Sequence, residues 1–442
     1  MKKFILSGLF FLVCFGLYAQ TLSLDEARVL ALANSRSLAK YEMSIRSSIL
    51  DERNQLYSML PSISAGYSAS MNYMQDWDLV NPIDTFTSGA TFSVTQVIFQ
   101  GGKNFIQKAI SSIATESVRK DALAEYFSVL DSVDNAYYTA LESAATLEAE
   151  EASLEAAVLN YSIAQVRHET GVINPGDYLK ALAEREAREN SRNQARRNLA
   201  LNMTKLRSLT GINRNFELEQ ISFDIYDVVL LYLSGICDDQ ADVLYDNFWN
   251  ILISSNPSLA KAALNNQRAQ RNLSLSWADF SPVVSASIFS TGLNYSTAGG
   301  FNSTSSGGVS IRGTIPVDFW VISNRIEKSK ISRDSAALDF LGAEINLETE
   351  LQSALLNIFA QAGSVLSSRR SLEYTERHFE FVMERYRLSL SSVSDLSDAT
   401  SLLINSKNSH IKSRYGFLQS LSRLRSLCAL DDEAELLRML IN

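Results

Sequence analysis

Between Lys103 and Thr170 the chain contains neither glycine nor proline, and the strong helix formers Ala, Leu and Glu recur throughout. Gly101-Gly102 precedes this stretch and Gly171 follows it. Within it, Leu123, Phe127, Leu130, Val133, Tyr137, Leu141, Ala144 and Leu147 are spaced by three or four residues, a coiled-coil period. A helix of that length is a rod of roughly 100 Å at 1.5 Å per residue. No single compact domain accommodates such a rod. The chain is therefore either fibrous or built by packing rods side by side.

The N-terminus speaks for export. Residues 1–19 read as a secretory signal: Lys2 and Lys3, an apolar run from Phe4 to Leu17 too short to span comfortably, and a small residue at Ala19. Cys14 would suit a lipoprotein signal, but Val13 before it is a poor fit to the small residue expected there. Loss of Lys2 and Lys3 takes the formal net charge from −9 to −11. Acidity and export together argue against a nucleic-acid partner. Cys237 and Cys428 then remain, without paired spacing. They read as two unrelated buried thiols, with a single disulfide as the alternative.

No other stretch reaches the ~18 uninterrupted apolar residues of a spanning helix, so a membrane-embedded form would have to use strands. Four segments qualify, at 62–73, 88–99, 283–293 and 306–317. In the first, Ile63, Ala65, Tyr67, Ala69, Met71 and Tyr73 alternate with Ser62, Ser64, Gly66, Ser68, Ser70 and Asn72. The second and fourth alternate likewise. In the third, Val284, Ala286 and Ile288 share one face while Phe289, Leu293 and Tyr295 share the other, which suggests a bulge.

The chain is written twice. Ser37-Leu38-Ala39-Lys40 recurs as Ser258-Leu259-Ala260-Lys261, and Pro61 as Pro282, both shifted by 221. Leu206-Arg207-Ser208-Leu209 recurs as Leu424-Arg425-Ser426-Leu427, and Asp177 and Ala181 as Asp395 and Ala399, shifted by 218. After the signal we expect a first repeat over 20–211, a mixed segment over 212–239, a second repeat over 240–430 and a tail over 431–442. Each repeat runs helix, strand, strand, long helix, turn, helix. The long helices are expected at about 103–170 and 320–388, and the returning helices at 177–210 and 394–428. The stretch Thr21–Leu60 reads as one helix. Gly342, Gly363 and Gly416 invite local bends in the second repeat.

Strands of about ten residues with one apolar and one hydroxyl-rich face suit lipid on one side and water on the other. Four strands cannot close a barrel, and an open edge cannot face lipid. Several chains must then share one barrel. Two copies give eight strands and three give twelve, and arithmetic alone does not choose.

This order resembles the TolC-type outer-membrane efflux proteins over essentially the mature chain. The telling stretches are Val97-Ile98-Phe99-Gln100-Gly101-Gly102, Gly171-Val172-Ile173-Asn174-Pro175-Gly176-Asp177-Tyr178-Leu179 and Val393-Ser394-Asp395-Leu396-Ser397-Asp398-Ala399-Thr400. The resemblance implies a mostly α chain with a membrane β-barrel. It implies a homotrimer sharing twelve strands in the outer membrane, continued by a long helical tunnel across the periplasm. Segment 212–239 would form a belt around that tunnel. The implied partners are outer-membrane lipid, a periplasmic adaptor (a membrane fusion protein) and an inner-membrane pump of an efflux or type I secretion system. The turns Gly171–Gly176 and Ser389-Leu390-Ser391-Ser392-Val393 would form the tip that docks the adaptor. Asp395 and Asp398 would ring the entrance, and Asp177 and Tyr386 would help hold it shut. An arginine that the family carries is replaced here by Ser391, so the closing network must differ.

No catalytic constellation, resident metal or cofactor is implied. His168, His378 and His410 are scattered without metal-ligand spacing. Arg185, Arg188, Arg192, Arg196 and Arg197 interleave with Glu184, Glu186 and Glu189 and read as a solvated, self-paired helix face. Asp177 reads equally as the N-cap of its helix, and Asp395 and Asp398 as first-turn carboxylates favoured by the helix dipole. The rival to a duct is an exported coiled-coil structural protein or adhesin without channel activity.

Overall fold

The computed structural model describes residues 20–74, 83–214, 216–296, 300–302, 306–388 and 390–441. The signal segment with Cys14, and Ser389 in the second tip turn, lie outside the described residues. In chain order the elements are β1 (Gln20–Leu22), α1 (Leu24–Asn34), α2 (Arg36–Tyr57), β2 (Ser62–Met74), β3 (Ile83–Phe99), α3 (Lys103–Glu169), α4 (Pro175–Thr210) and β4 (Phe216–Leu218). There follow α5 (Asp227–Ser234), α6 (Asp238–Ser255), α7 (Pro257–Trp277), β5 (Val283–Ser296), β6 (Gly300–Asn302), β7 (Ser306–Thr314), α8 (Phe319–Arg387), α9 (Val393–Leu427) and α10 (Glu433–Ile441). The chain is mostly helical. Gly342 and Gly363 do not interrupt α8, nor Gly416 α9.

Two compact units are distinguished. One lies within Met1–Arg36, Tyr126–Asn250 and Leu351–Asn442, the other within Ser37–Glu125 and Ile251–Glu350.

The second unit holds the large sheet. Hairpins β2/β3 and β5/β7 join through an antiparallel β3–β5 pairing, and β6 extends the far edge of β5 beyond β7. The sheet is open, with edges at β2 and at β6/β7. Register decides its faces. Ile63 pairs with Val94, Ala65 with Phe92, Val94 with Ile288, and Ile288 with Val309. This face is apolar and fully presented, Ile311 being 74% exposed. The opposite face is hydroxyl-rich, with Ser64 Oγ to Ser93 Oγ and Ser287 Oγ to Ser310 Oγ both at 2.7 Å. The bulge expected in the third strand is present, since Ser88 pairs with Tyr295 but Ala90 with Gly292. Phe289 stays on the hydroxyl face, opposite Ser93 and Gly308. A Cβ on Gly308 would come within 3.0 Å of the Phe289 ring, so the glycine makes room for it.

The helices of this unit repeat the lateral order of the strands. Thr115 of α3 donates to the Ser48 carbonyl of α2 at 3.2 Å, Lys261 of α7 meets Asp121 of α3 at 2.7 Å, and Ser276 of α7 meets Ser329 of α8 at 2.6 Å. The row is therefore α2–α3–α7–α8, above a sheet ordered β2–β3–β5–β7. Its two outer helices carry exposed apolar residues seven apart. These are Met43, Leu50 and Tyr57 on α2, which buries no residue, and Ile331, Leu338 and Ile345 on α8. Seven-residue spacing is that of a coiled-coil seam.

The first unit departs from the single helix expected over Thr21–Leu60. The backbone is extended at Ser35 and separates α1 from α2. Asn34 turns its amide to the Ser208 and Leu209 carbonyls at 3.4 and 3.2 Å, where α4 ends at Gly211 with φ +74. Gln20–Leu22 pairs in parallel with Phe216–Leu218, and Tyr137 Oη donates to both the Leu22 and Glu219 carbonyls. Beneath this lies a buried charge network. Arg28 holds Asp134 through two bonds of 2.7 and 2.9 Å, and Arg425, only 2% exposed, reaches the same carboxylate at 2.6 Å. Ser422 Oγ adds a bond of 2.8 Å. Burial works against the Arg28 charge, but Asp134 outweighs it and raises the pKa. The tail over 431–442 contains α10, which is tied in by Glu433 accepting from Tyr226 Oη at 2.7 Å.

Candidate functional site

The two helix–helix turns of the first unit close by the same chemistry. After α3, Val172 N–H bonds to the Arg167 carbonyl at 2.7 Å and Gly171 N–H to the His168 carbonyl at 3.0 Å. Gly171 has φ +73, the left-handed conformation this closure needs. After α8, Leu390 N–H bonds to the Arg385 carbonyl at 2.8 Å. Arg167 and Arg385, Val172 and Leu390, Asn174 and Ser392, and Asp177 and Asp395 are all 218 apart, so the duplication reaches the individual bonds of the turns.

The helix starts match as well. Asn174 caps α4, with Oδ1 accepting from Asp177 N–H and Nδ2 donating to Asp177 Oδ2, both at 2.9 Å. Asp177 is thus not the N-cap but the third helical residue. Pro175 takes the first helical position, where its missing N–H costs nothing, and so places the cap at Asn174, three residues before Asp177. Ser392 and Asp395 form a full capping box on α9, at 2.9 and 3.1 Å. Asp398 lies beyond the first turn, exposed, with no hydrogen bond or ion pair among the described residues. Asp395 is exposed too. The Ser392 backbone N–H and hydroxyl hold its carboxyl below the usual range, with Arg385 and Lys180 adding to the effect.

Tyr386 is 1% exposed, in an apolar cluster with Ala164, Ala181, Val393, Leu396 and Ala399. Its phenol pKa is raised by burial and further by the Asp177 charge. The two are neighbours without a hydrogen bond between them, and Tyr386 Oη has no partner among the described residues. Arg167 stacks over the Tyr386 ring at 4.6 Å and donates to its backbone carbonyl at 3.1 Å.

Sequence reasoning missed the ties between α4 and α9. Lys180 Nζ donates to Ser394 Oγ at 2.6 Å, Ser397 Oγ to Glu184 at 2.9 Å, and Arg188 to Ser401 Oγ at 2.8 Å. Glu184 and Arg188 do pair with each other at 2.7 Å, but they also bridge helices, so this face is not merely solvated. The signal was present in the four-residue spacing of Lys180, Glu184 and Arg188 opposite a serine-rich α9. His168, at the C-terminus of α3, stacks on Tyr178 at 5.1 Å. Ile173 and Val393 face inward, whereas Val172 and Leu390 project from the turns.

A family model described as outer membrane efflux protein matches residues 27–212 and 249–429. No curated protein matches the sequence. Among solved structures, the CmeC outer membrane channel of Campylobacter jejuni superposes with a TM-score of 0.75 at 15% identity, over 95% of this chain and 89% of that one. VceC of Vibrio cholerae gives 0.74 at 14% identity, over 92% and 96%. The open state of the MtrE channel of Neisseria gonorrhoeae gives 0.71 at 15%, over 92% and 89%.

Proposed function

The chain belongs to the outer membrane efflux protein family, and from that premise we propose how it works as an assembled duct. It is an outer-membrane exit channel extending into the periplasm, and channels of this family work with adaptor proteins and inner-membrane pumps. Three copies close one ring, so that twelve strands share a barrel and the helices continue it as a tunnel. The observation that carries this is the matched pair of edges. β2 and α2 bound one side of the second unit, β7 and α8 the other, and both edge helices expose seven-residue apolar seams. An edge that fits its opposite rather than itself joins head to tail, and such contacts either close a ring or grow without end. Lipid covers the apolar sheet face, since a patch of this size does not stay in water.

The tip docks the adaptor through Val172 and Leu390, the two exposed apolar residues at equivalent places in its turns. Asp395 and Asp398 ring the entrance, and Asp398 is the freer carboxylate because Asp395 is engaged in its cap. With serine at 391, closure falls to Arg167 on Tyr386 and to the Lys180, Glu184 and Arg188 ties.

The mass of the purified protein in detergent, combined with recordings in planar bilayers, tests the assembly. A trimer that conducts ions is expected. A stable folded monomer, or a trimer without conductance, refutes the shared barrel and leaves the structural-protein reading.

A further inference from the structure

The hydroxyl face of the sheet is almost free of charge. Along it run Ser62, Ser64, Gly66 and Ser68 of β2, paired with Thr95, Ser93, Thr91 and Gly89 of β3. Among strand residues whose side chains the structure describes in this sheet, Arg312 of β7 is the only charged one. It pairs with Ser285, and its neighbour Ser310 bonds to Ser287 across the same face, so Arg312 stands on the hydroxyl side. It is exposed and makes no ion pair or hydrogen bond among the described residues.

Arg312 lies two residues from the end of β7, close to where the strand gives way to α8. β7 is an edge strand. In a head-to-tail ring its neighbour is β2 of the next copy. Residues 62–74 contain no acidic residue, so no register of that junction pairs Arg312 with an acid on β2. On the lipid face such a guanidinium would carry a desolvation cost. On the water face it avoids that cost and stays available.

We propose that Arg312, repeated around the ring, forms a cationic collar that binds the anionic groups of outgoing solute. The ligand class is carboxylate or phosphate, which a guanidinium meets with two parallel N–H donors. The inference rests on the shared-barrel reading. Twelve strands about 4.8 Å apart and tilted by about 40° enclose roughly 24 Å between backbones. Arginines reaching inward leave their tips on the order of one screening length apart, ~8 Å at physiological salt, so their fields overlap on the axis. Ser285 and Ser310 flank each guanidinium with hydroxyls that can share the ligand. Above the collar, the described side chains of this face are Ser, Thr and Gly, apart from Phe289, and carry no competing charge.

The test uses the full-length assembly in planar bilayers at low ionic strength, with Asp395→Ala and Asp398→Ala in the background so that acidic groups at the entrance do not mask the collar. The reversal potential in a potassium chloride gradient gives the chloride-to-potassium permeability ratio. Arg312→Gln should lower that ratio about threefold or more, Arg312→Glu further, and Arg312→Lys little. Citrate, used as a trivalent anionic probe, should block the current reversibly when Arg312 is present, and high salt should relieve the block. Channels that open normally but show the same ratio and the same citrate response before and after Arg312→Gln overturn the collar alone. A natural protein, without the entrance substitutions, that forms no channel overturns the shared barrel and the collar with it. If Arg312→Gln fails to assemble, a parent channel indifferent to citrate at low salt still overturns the proposal.

Discussion

Asp134 offers the sharpest test of the packing. It is fully buried and is the acceptor on which Arg28, Arg425 and Ser422 converge. Asp134→Asn keeps the volume but removes the charge. Arg28 retains Glu433 at 3.6 Å and Asp25 at 2.9 Å, so it is only partly orphaned. Arg425 keeps no other ion pair among the described residues, only a coulombic attraction to Asp131, and its Nε already lacks a partner. Leaving one buried charge uncompensated costs about 3–5 kcal/mol. At roughly 2–4 °C per kcal/mol for a domain of about 150–250 residues, that corresponds to a melting temperature lower by on the order of 10 °C. Circular dichroism of the detergent-solubilised protein at one fixed scan rate measures it, because an apparent melting temperature depends on scan rate wherever unfolding is irreversible. Adding Arg425→Met removes the stranded charge, so the double variant should melt above Asp134→Asn. A shift of less than about 2 °C for Asp134→Asn, or a double variant that melts lower still, would show that the network carries little of the fold's stability.

A Cβ at Gly171 meets nothing within 4 Å, but Gly171→Ile is forced to hold φ +73, a strain of about 1–3 kcal/mol. Export should fail while trimer and membrane insertion persist on gels and in membrane fractions, and unchanged transport would count against the docking role of the turn. Carboxylates ringing the proposed entrance would favour cations and bind divalent ions, so Asp395→Ala with Asp398→Ala should remove most of both effects in single-channel recordings, with Asp398→Ala alone giving the larger share. Asp395 has a folded pKa below its unfolded value, so its cap stabilises fully above the ordinary carboxylate range and fades as pH falls through the lower value. The selectivity left in Asp398→Ala should therefore persist below the ordinary carboxylate range, and a pH titration of its reversal potential that shows loss within that range would contradict this. Cys237 is exposed and Cys428 buried, its thiol pushed up to about 12. Maleimide should label Cys237 in the native protein and Cys428 only after unfolding, and a Cys237–Cys428 disulfide found by mass spectrometry would contradict the burial of one thiol away from the other.

Regular elements were legible because their periods are local. The three-and-four spacing from Leu123 to Leu147 lies within α3, and the alternation of Ile63 to Tyr73 with serines lies within β2. The break at Ser35 was not legible, because it depends on Asn34 reaching carbonyls more than 170 positions away. The β1–β4 pairing is equally non-local. The misplaced cap at Asp177 is different, since Pro175 could have indicated Asn174 from sequence alone. At the two helix–helix turns, sequence marked which residues are equivalent but not which side chains bridge the helices. Lys180 to Ser394 and Arg167 to Tyr386 depend on how helices far apart in sequence are placed side by side.

The unlike edges of the second unit also have a genetic consequence. In the proposed three-membered ring each copy would offer α8 and β7 to one neighbour and receive the other on α2 and β2, so one subunit with a damaged edge would leave a gap that its intact partners cannot fill. Coexpressed in equal amount with the natural chain, a variant with charged residues at Ile331, Leu338 and Ile345 would enter most rings and spoil them, leaving about one in eight wholly natural if subunits mix freely. Such an allele would be dominant over the wild type although it encodes a loss of contact. An allele that fails before folding would be recessive.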